Sequence, residues 1–172
     1  MYKRQRKTYA WNEQPFLDIY TMTKNSDGSY QAAVLANSDL NTRFHDGLVS
    51  FTPDGNTMYM ARESYFEKDY QRDSLTDARY SQLYLYKVTK LGSDWDTVES
   101  LAINKYNYSI KNPSVSPDGS TIYFSSNMPG GYGDFDIYKA PINEDGTLGE
   151  PQNLGQKVNT DCLLYTSPSP RD

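Results

Sequence analysis

The chain is poor in the residues that simple arguments lean on. Among its 172 residues there is one cysteine, Cys162, and one histidine, His45. A lone cysteine excludes a disulfide framework and a thiolate metal cluster. Leu, Ile, Val and Phe together make up only 18% of the chain, a share that taken alone points to disorder. No apolar run approaches the ~20 residues of a membrane helix, so direct membrane insertion by this segment is not expected. A basic surplus is also missing. Lys plus Arg is 17 against 22 for Asp plus Glu, a net charge of −5. That balance excludes the basic face that nucleic acid or an anionic membrane requires. Nothing at the start reads as a secretory signal. Aromatic residues are plentiful instead: 16 tyrosines in a chain that is 14% aromatic, which disordered chains do not have.

The two ends read differently from the middle. Met1-Tyr2-Lys3-Arg4-Gln5 resembles the translation, from a GTG start, of a transposon adapter used to build sequencing libraries. Cys162-Leu163-Leu164-Tyr165-Thr166-Ser167-Pro168-Ser169-Pro170-Arg171-Asp172 resembles the reverse complement of the same adapter. Residues 1–5 and 162–172 are therefore expected to be artefact, and are set aside from fold reasoning. The cysteine leaves with them, and 6–161 is expected to be a piece of a longer gene product.

That middle repeats itself. Ser50-Phe51-Thr52-Pro53-Asp54-Gly55-Asn56-Thr57-Met58-Tyr59-Met60 aligns with Ser114-Val115-Ser116-Pro117-Asp118-Gly119-Ser120-Thr121-Ile122-Tyr123-Phe124. A second element occurs three times, as Phe16-Leu17-Asp18-Ile19-Tyr20, Gln82-Leu83-Tyr84-Leu85-Tyr86-Lys87 and Asp134-Phe135-Asp136-Ile137-Tyr138-Lys139. Asp27-Gly28 matches Asp145-Gly146 and Asn41-Thr42 matches Asn159-Thr160 at one common offset, the mark of an internal repeat. Period-two alternation in each copy predicts strands. Met58 and Met60 alternate with Tyr59, Ile122 and Phe124 with Tyr123, Leu83 and Leu85 with Tyr84 and Tyr86. Pro53-Asp54-Gly55 and Pro117-Asp118-Gly119 predict tight turns that join paired strands. Proline presets φ, aspartate binds the local backbone and glycine takes the left-handed conformation. Apolar residues on one side and tyrosines on the other leave no wet face, so both faces should be covered. Four-stranded units of this kind, packed on like units, predict an all-β fold: a partial β-propeller of about two and a half four-stranded antiparallel blades.

These residues carry a resemblance. Asn112 to Ser126, with its Ser-Pro-Asp-Gly signature, resembles the PD40 (WD40-like) propeller repeat of the TolB type. Gly130-Gly131-Tyr132-Gly133-Asp134-Phe135-Asp136-Ile137-Tyr138 and Gly155-Gln156-Lys157-Val158-Asn159-Thr160 resemble the propellers of OmpA-family lipoproteins of Gram-negative bacteria, which often carry TPR repeats before the propeller and a small β-sandwich and an OmpA-like peptidoglycan-binding domain after it, a layout shared by the PorE component of type IX secretion. The resemblance implies a non-catalytic interaction platform in an outer-membrane-associated, periplasm-facing lipoprotein. It implies protein partners in the cell envelope, and peptidoglycan bound through domains outside this segment. It also implies boundaries. Residues 6–40 would be the second half of a blade, 41–101 a blade with a long insertion at 63–81, 102–158 a third, and 159–161 the start of a truncated one. Two further readings stay open: the propeller portion of a prolyl-oligopeptidase-like peptidase, which needs a Gly-x-Ser-x-Gly elbow downstream, and an unanchored TolB-like periplasmic partner.

No residue stands out as a catalyst, and no cofactor is expected. His45 in Phe44-His45-Asp46 lacks an obvious nucleophile beside it. Asp134 and Asp136 do not have the ligand rhythm of a calcium loop, and Asp136 is expected to bind the backbone of the preceding glycine-rich turn. Gly130 to Gly133 opens no helix and is not a phosphate loop. Ser116 to Thr121 is similar to a sialidase Asp box, one residue short. A sialidase also needs an arginine cluster, and of Arg43, Arg62, Arg72 and Arg79 three lie in or beside the insertion. Asn107-Tyr108-Ser109 is a sequon that matters only in a eukaryotic secreted chain. The insertion is charged and expected to be a surface loop. Its Tyr65, Phe66, Tyr70 and Tyr80 read either as a partner surface or as a solvated tyrosine-rich loop.

Overall fold

The computed structural model describes residues 16–161, apart from 38, 76, 78 and 93. The two ends resembling adapter, and residues 6–15 of the first half-unit, lie outside the described residues. Among the described residues the fold is all-β, with two four-stranded antiparallel sheets and two short two-stranded ones.

The first small sheet pairs β1 (Tyr20–Thr21) with β2 (Val34–Leu35). The next sheet holds β3 (Asp46–Phe51) and β4 (Thr57–Glu63). A 3₁₀ turn (Ser64–Glu67) follows, then a small hairpin of β5 (Gln71–Arg72) and β6 (Arg79–Tyr80). The sheet resumes with β7 (Leu83–Leu91) and β8 (Asp94–Ser100), in the order β3-β4-β7-β8. The last sheet repeats that order with β9 (Ile110–Val115), β10 (Thr121–Ser126), β11 (Asp136–Pro141) and β12 (Gln152–Asn153).

The repeated turns explain the first hairpin of each sheet. Gly55 N–H donates to the Thr52 carbonyl at 2.8 Å, and Gly119 N–H to the Ser116 carbonyl at 2.9 Å. Asp54 Oδ1 accepts from Thr52 Oγ1 (2.6 Å) and Asn56 N–H (3.1 Å). Asp118 repeats this with Ser116 Oγ (2.5 Å) and Ser120 N–H (3.0 Å). Gly55 and Gly119 sit at φ +68° and +74°, where a side chain is strained. The hydrogen bonds, led by the one from Ser116, hold the exposed Asp118 carboxyl down to about 2.

Packing explains the rest. In β4, Met58, Tyr59, Met60, Ala61 and Arg62 are all buried, so this strand is covered on both faces. Met58 and Met60 pack with Tyr84, Tyr86 and Val88 of β7 and with Ala36 and Leu40 beside the first sheet. Tyr59 and Leu85 pack the other way, against Ile110, Ile122, Phe124, Tyr138 and Ala140 of the last sheet. Each Met, Val, Leu, Ile or Phe among them contributes roughly 1.5–3 kcal/mol on leaving water. The sequence placed tyrosines on one face; the structure divides them. Tyr59 enters one core while Tyr84 and Tyr86 enter the other, because the register sets Met60 opposite Tyr86. The sheets approach at their first strands, where Val115 N–H of β9 donates to Ser50 Oγ of β3 at 2.9 Å.

Candidate partner-binding surface

The insertion carries secondary structure of its own. Ser64 Oγ donates to the Asp69 carbonyl at 2.6 Å and accepts from Gln82 N–H at 3.0 Å, which ties the start of the excursion to its end. On this frame the four aromatic residues separate. Tyr65 and Tyr70 stack at 4.7 Å between ring centroids, and Phe44 stacks on Tyr65 at 5.1 Å. Arginines close both ends of the stack, Arg43 over Phe44 and Arg79 over Tyr70, each at 5.0 Å. Such cation–π contacts stabilise by ~0.5–1 kcal/mol at exposed sites. Phe66 is 49% exposed but rests one side on the layer beneath. It lies 4.7 Å over the Arg62 guanidinium and meets Tyr86 edge-on. Tyr80 stands exposed on β6. This end therefore presents Phe66, Tyr70, Tyr80 and the two arginines, with Phe66 also resting on the support beneath.

That support was not legible in the sequence. Arg62 and Asp46 form an ion pair with both side chains fully buried. Arg62 Nη2 also donates to the carbonyls of Asp39 (2.9 Å) and Leu40 (3.0 Å), and Thr42 Oγ1 donates to Asp46 at 2.8 Å. Both Phe66 and Tyr86 lie against the guanidinium, a placement suited to its planar, weakly hydrated cation. Burial raises the Tyr86 hydroxyl pKa, with Glu67 adding to the effect.

A second device also recurs. Asn41 Oδ1 accepts from Ile19 N–H (2.7 Å) and its Nδ2 donates to the Ile19 carbonyl (3.0 Å). Asn159 does the same to Ile137 at 2.7 and 2.9 Å, and Asn104 to Leu85 at 2.8 Å for both bonds. Each amide fastens the next connection onto the third strand of its unit. The sequence repeat revealed Asn41 and Asn159. Asn104 escaped it because its spacing to the strand differs.

Asp136 is buried and accepts from Tyr132 N–H (2.6 Å), Gly133 N–H (3.1 Å) and Asn153 Nδ2 (2.8 Å). A Cβ on Gly131 would run into its Oδ2. The glycine-rich turn is thus wrapped around a carboxylate. Asp134 is no part of a metal cluster: among the described residues no group of three or more His, Cys, Asp or Glu could hold a metal ion.

His45 lines a cavity of about 360 Å³ with Leu17, Leu48, Glu63, Ser81 and Gln82. Its Nδ1 accepts from Leu17 N–H at 3.1 Å, and its Nε2 lies 3.9 Å from Glu63 Oε1. Burial lowers the His45 pKa, and burial raises that of Glu63 against a hydrogen bond from Ser81. The acid thus stands between the imidazole and the hydroxyl. A serine relay needs the imidazole between the other two.

At the opposite end, a groove of about 530 Å³ runs between the Pro-Asp-Gly turns and the Asn143–Gly146 turn, lined by Asp54, Asp118, Glu144, Asp145 and Lys87. No helix among the described residues is long and apolar enough to cross a membrane. No protein-family model matches the chain, and no curated protein matches it significantly.

Proposed function

We propose that this chain is a propeller segment acting as a non-catalytic interaction platform in a cell-envelope protein. One observation supports the reading most strongly: the central sheet is covered on both faces, on one by a sheet of the same strand order and on the other by residues beside the first small sheet. Repeated antiparallel sheets that bury both faces and approach at their first strands are how propeller blades associate. Such a stack is stiff, and its connecting loops are free to vary. The insertion end, with Tyr70, Tyr80, Arg43 and Arg79, is the platform's partner-facing side. Aromatic and arginine side chains are the types enriched at the centres of protein interfaces.

The resemblance to PD40 propellers of OmpA-family lipoproteins extends this reading. It puts the platform in the periplasm, associated with the outer membrane, with protein partners on the insertion end and peptidoglycan held by a separate domain. Reading the encoding gene across both ends of the segment tests it. TPR repeats upstream and an OmpA-like domain downstream are expected. A downstream hydrolase domain with a Gly-x-Ser-x-Gly elbow would replace this reading with a peptidase propeller.

A further inference from the structure

One region of the contact between the two four-stranded sheets has two parts. One is the turn between β11 and β12. Asn143 N–H donates to the Thr147 carbonyl (2.9 Å), Gly146 N–H to the Asn143 carbonyl (2.9 Å), and Asp145 Oδ1 accepts from Thr147 N–H (2.9 Å). The other is the face of the preceding sheet. Tyr59 Oη donates to the Gly146 carbonyl at 2.8 Å, and Lys87 Nζ to the Asp145 carbonyl at 3.1 Å. The fit is close, since a Cβ on Gly146 would stand 2.9 Å from Lys87 Cδ.

Both parts recur at the two ends of the described region, each without the other. The turn recurs between β1 and β2. Asn25 N–H donates to the Ser29 carbonyl (2.8 Å), Gly28 N–H to the Asn25 carbonyl (3.0 Å), and Asp27 Oδ1 accepts from Ser29 N–H (2.9 Å). Gly28 has the same left-handed backbone as Gly146, yet nothing lies within 4 Å of where its Cβ would be. The face recurs on the last sheet, where Tyr123 pairs with Lys139 as Tyr59 pairs with Lys87. Tyr123 is 38% exposed where Tyr59 is 0%. The apolar positions tell the same story. Tyr20 is 44% exposed where Tyr138 is 6%, and Met22 is 54% exposed where Ala140 is 0%. Single exposed hydrophobics are ordinary, but a contiguous set at positions that bury in the neighbouring repeat marks an interface.

We infer that copies of this chain associate head to tail. The Asn25–Tyr30 turn of one copy sits on the Tyr123–Lys139 face of another, with Tyr123 Oη donating to the Gly28 carbonyl and Lys139 Nζ to the Asp27 carbonyl. The repeat inside the chain identifies the occupant, because each end carries the half that the other end lacks. The contact is heterologous, so it builds a closed ring or an open row rather than a two-fold dimer. It stands on the repeat geometry of the chain as given; in a longer polypeptide a further repeat would compete for the same two halves.

The test is sedimentation velocity of the full 172-residue chain and two blocked variants across micromolar to millimolar concentration. Met22→Glu blocks the turn side and Tyr123→Glu the face side. Both positions are exposed in the single chain, and circular dichroism with a melting curve checks that each variant folds. The unaltered chain is expected to grow with concentration, and each variant alone to stay monomeric. An equimolar mixture of the two should form a dimer that grows no further, since one intact turn meets one intact face. Tyr123→Phe, which removes only the hydroxyl donor, should weaken association several-fold. A folded chain that stays monomeric throughout overturns the inference and leaves the face to a further repeat of the same polypeptide. Variants that assemble as well as the unaltered chain overturn it as well, by placing the contact elsewhere.

Discussion

The two four-stranded sheets share strand order and turns, yet they solve one position differently. In the first of them β3 and β4 set Asp46 opposite Arg62, a buried ion pair. In the second, β9 and β10 set Ile110 opposite Ser126 at the same place. Ser126 Oγ there donates to the Ser109 carbonyl at 2.7 Å, a local bond that needs no charge. The charged version demands more of its surroundings: Thr42 on the carboxylate, two carbonyls on the guanidinium, and Phe66 and Tyr86 packed against it. Phe66 comes from the insertion, which only this unit has. The comparison teaches that the insertion has an inward task, covering a buried cation, as well as an outward surface.

Breaking the pair should have the largest effect. Asp46→Ala leaves Arg62 buried without its counterion and is expected to cost about 3–5 kcal/mol, read as a lower urea midpoint. Replacing both partners, as Asp46→Ile with Arg62→Met, should recover most of that loss by importing the uncharged solution. A double variant no more stable than Asp46→Ala would mean that the charges themselves hold the fold.

The asparagine clamps come next. Asn104→Ala should cost about 1–3 kcal/mol, because it strips both bonds from the Leu85 backbone. Asn159→Ala should cost a similar amount in the last sheet, where the same two bonds go to Ile137. A clear inequality between the two would show that the units are not energetically alike.

Glycines sharpen the comparison further. Gly131→Ala drives a methyl into the Asp136 carboxylate and should lower the melting temperature by several degrees. Gly28→Ala meets no neighbour and carries only the strain of its left-handed backbone, ~1 kcal/mol. Equal effects would contradict the wrapped-carboxylate account.

The smallest effect concerns pH. The folded chain holds the Asp118 carboxyl at about 2, below the ordinary 3.8. A lowered carboxyl adds stability above the ordinary value and loses it as pH falls toward the folded value. Asp54 is lowered by the matching bonds from Thr52 and Asn56. Stability should therefore decline between pH 3.8 and about 2, and Asp118→Asn should make that limb shallower. An unchanged acid limb would mean that the turn carboxylates do not drive acid unfolding.

Local features of the fold were legible in the sequence because they rest on short-range chemistry. The Pro-Asp-Gly turns, the period-two strands and the coverage of both faces follow from residues a few positions apart. What was not legible depends on pairing across longer distances. Nothing near Arg62 in sequence announces Asp46 as its partner, since strand register brings them together. The division of tyrosines between two cores likewise follows from setting Met60 opposite Tyr86. Asn104 is a clamp like Asn41, but its spacing to the strand is shorter and the repeat alignment passes over it. The four aromatic residues of the insertion read as one group until the 3₁₀ turn lays Phe66 against Arg62 and leaves Tyr65 in a stack.

Among the described residues the middle sheet is packed on both faces, while Tyr20, Met22 and Val34 of the first small sheet and its flank stay exposed. Native-state amide exchange, followed residue by residue at a concentration where the chain is monomeric, tests it most directly. The amides of β4 and β7 at Met58, Met60, Leu85 and Val88 should exchange only with global unfolding. Those of β1 and β2 should exchange orders of magnitude faster, through local opening. Equal protection across β1, β4 and β7, or fast exchange in β4, would contradict the stacked arrangement.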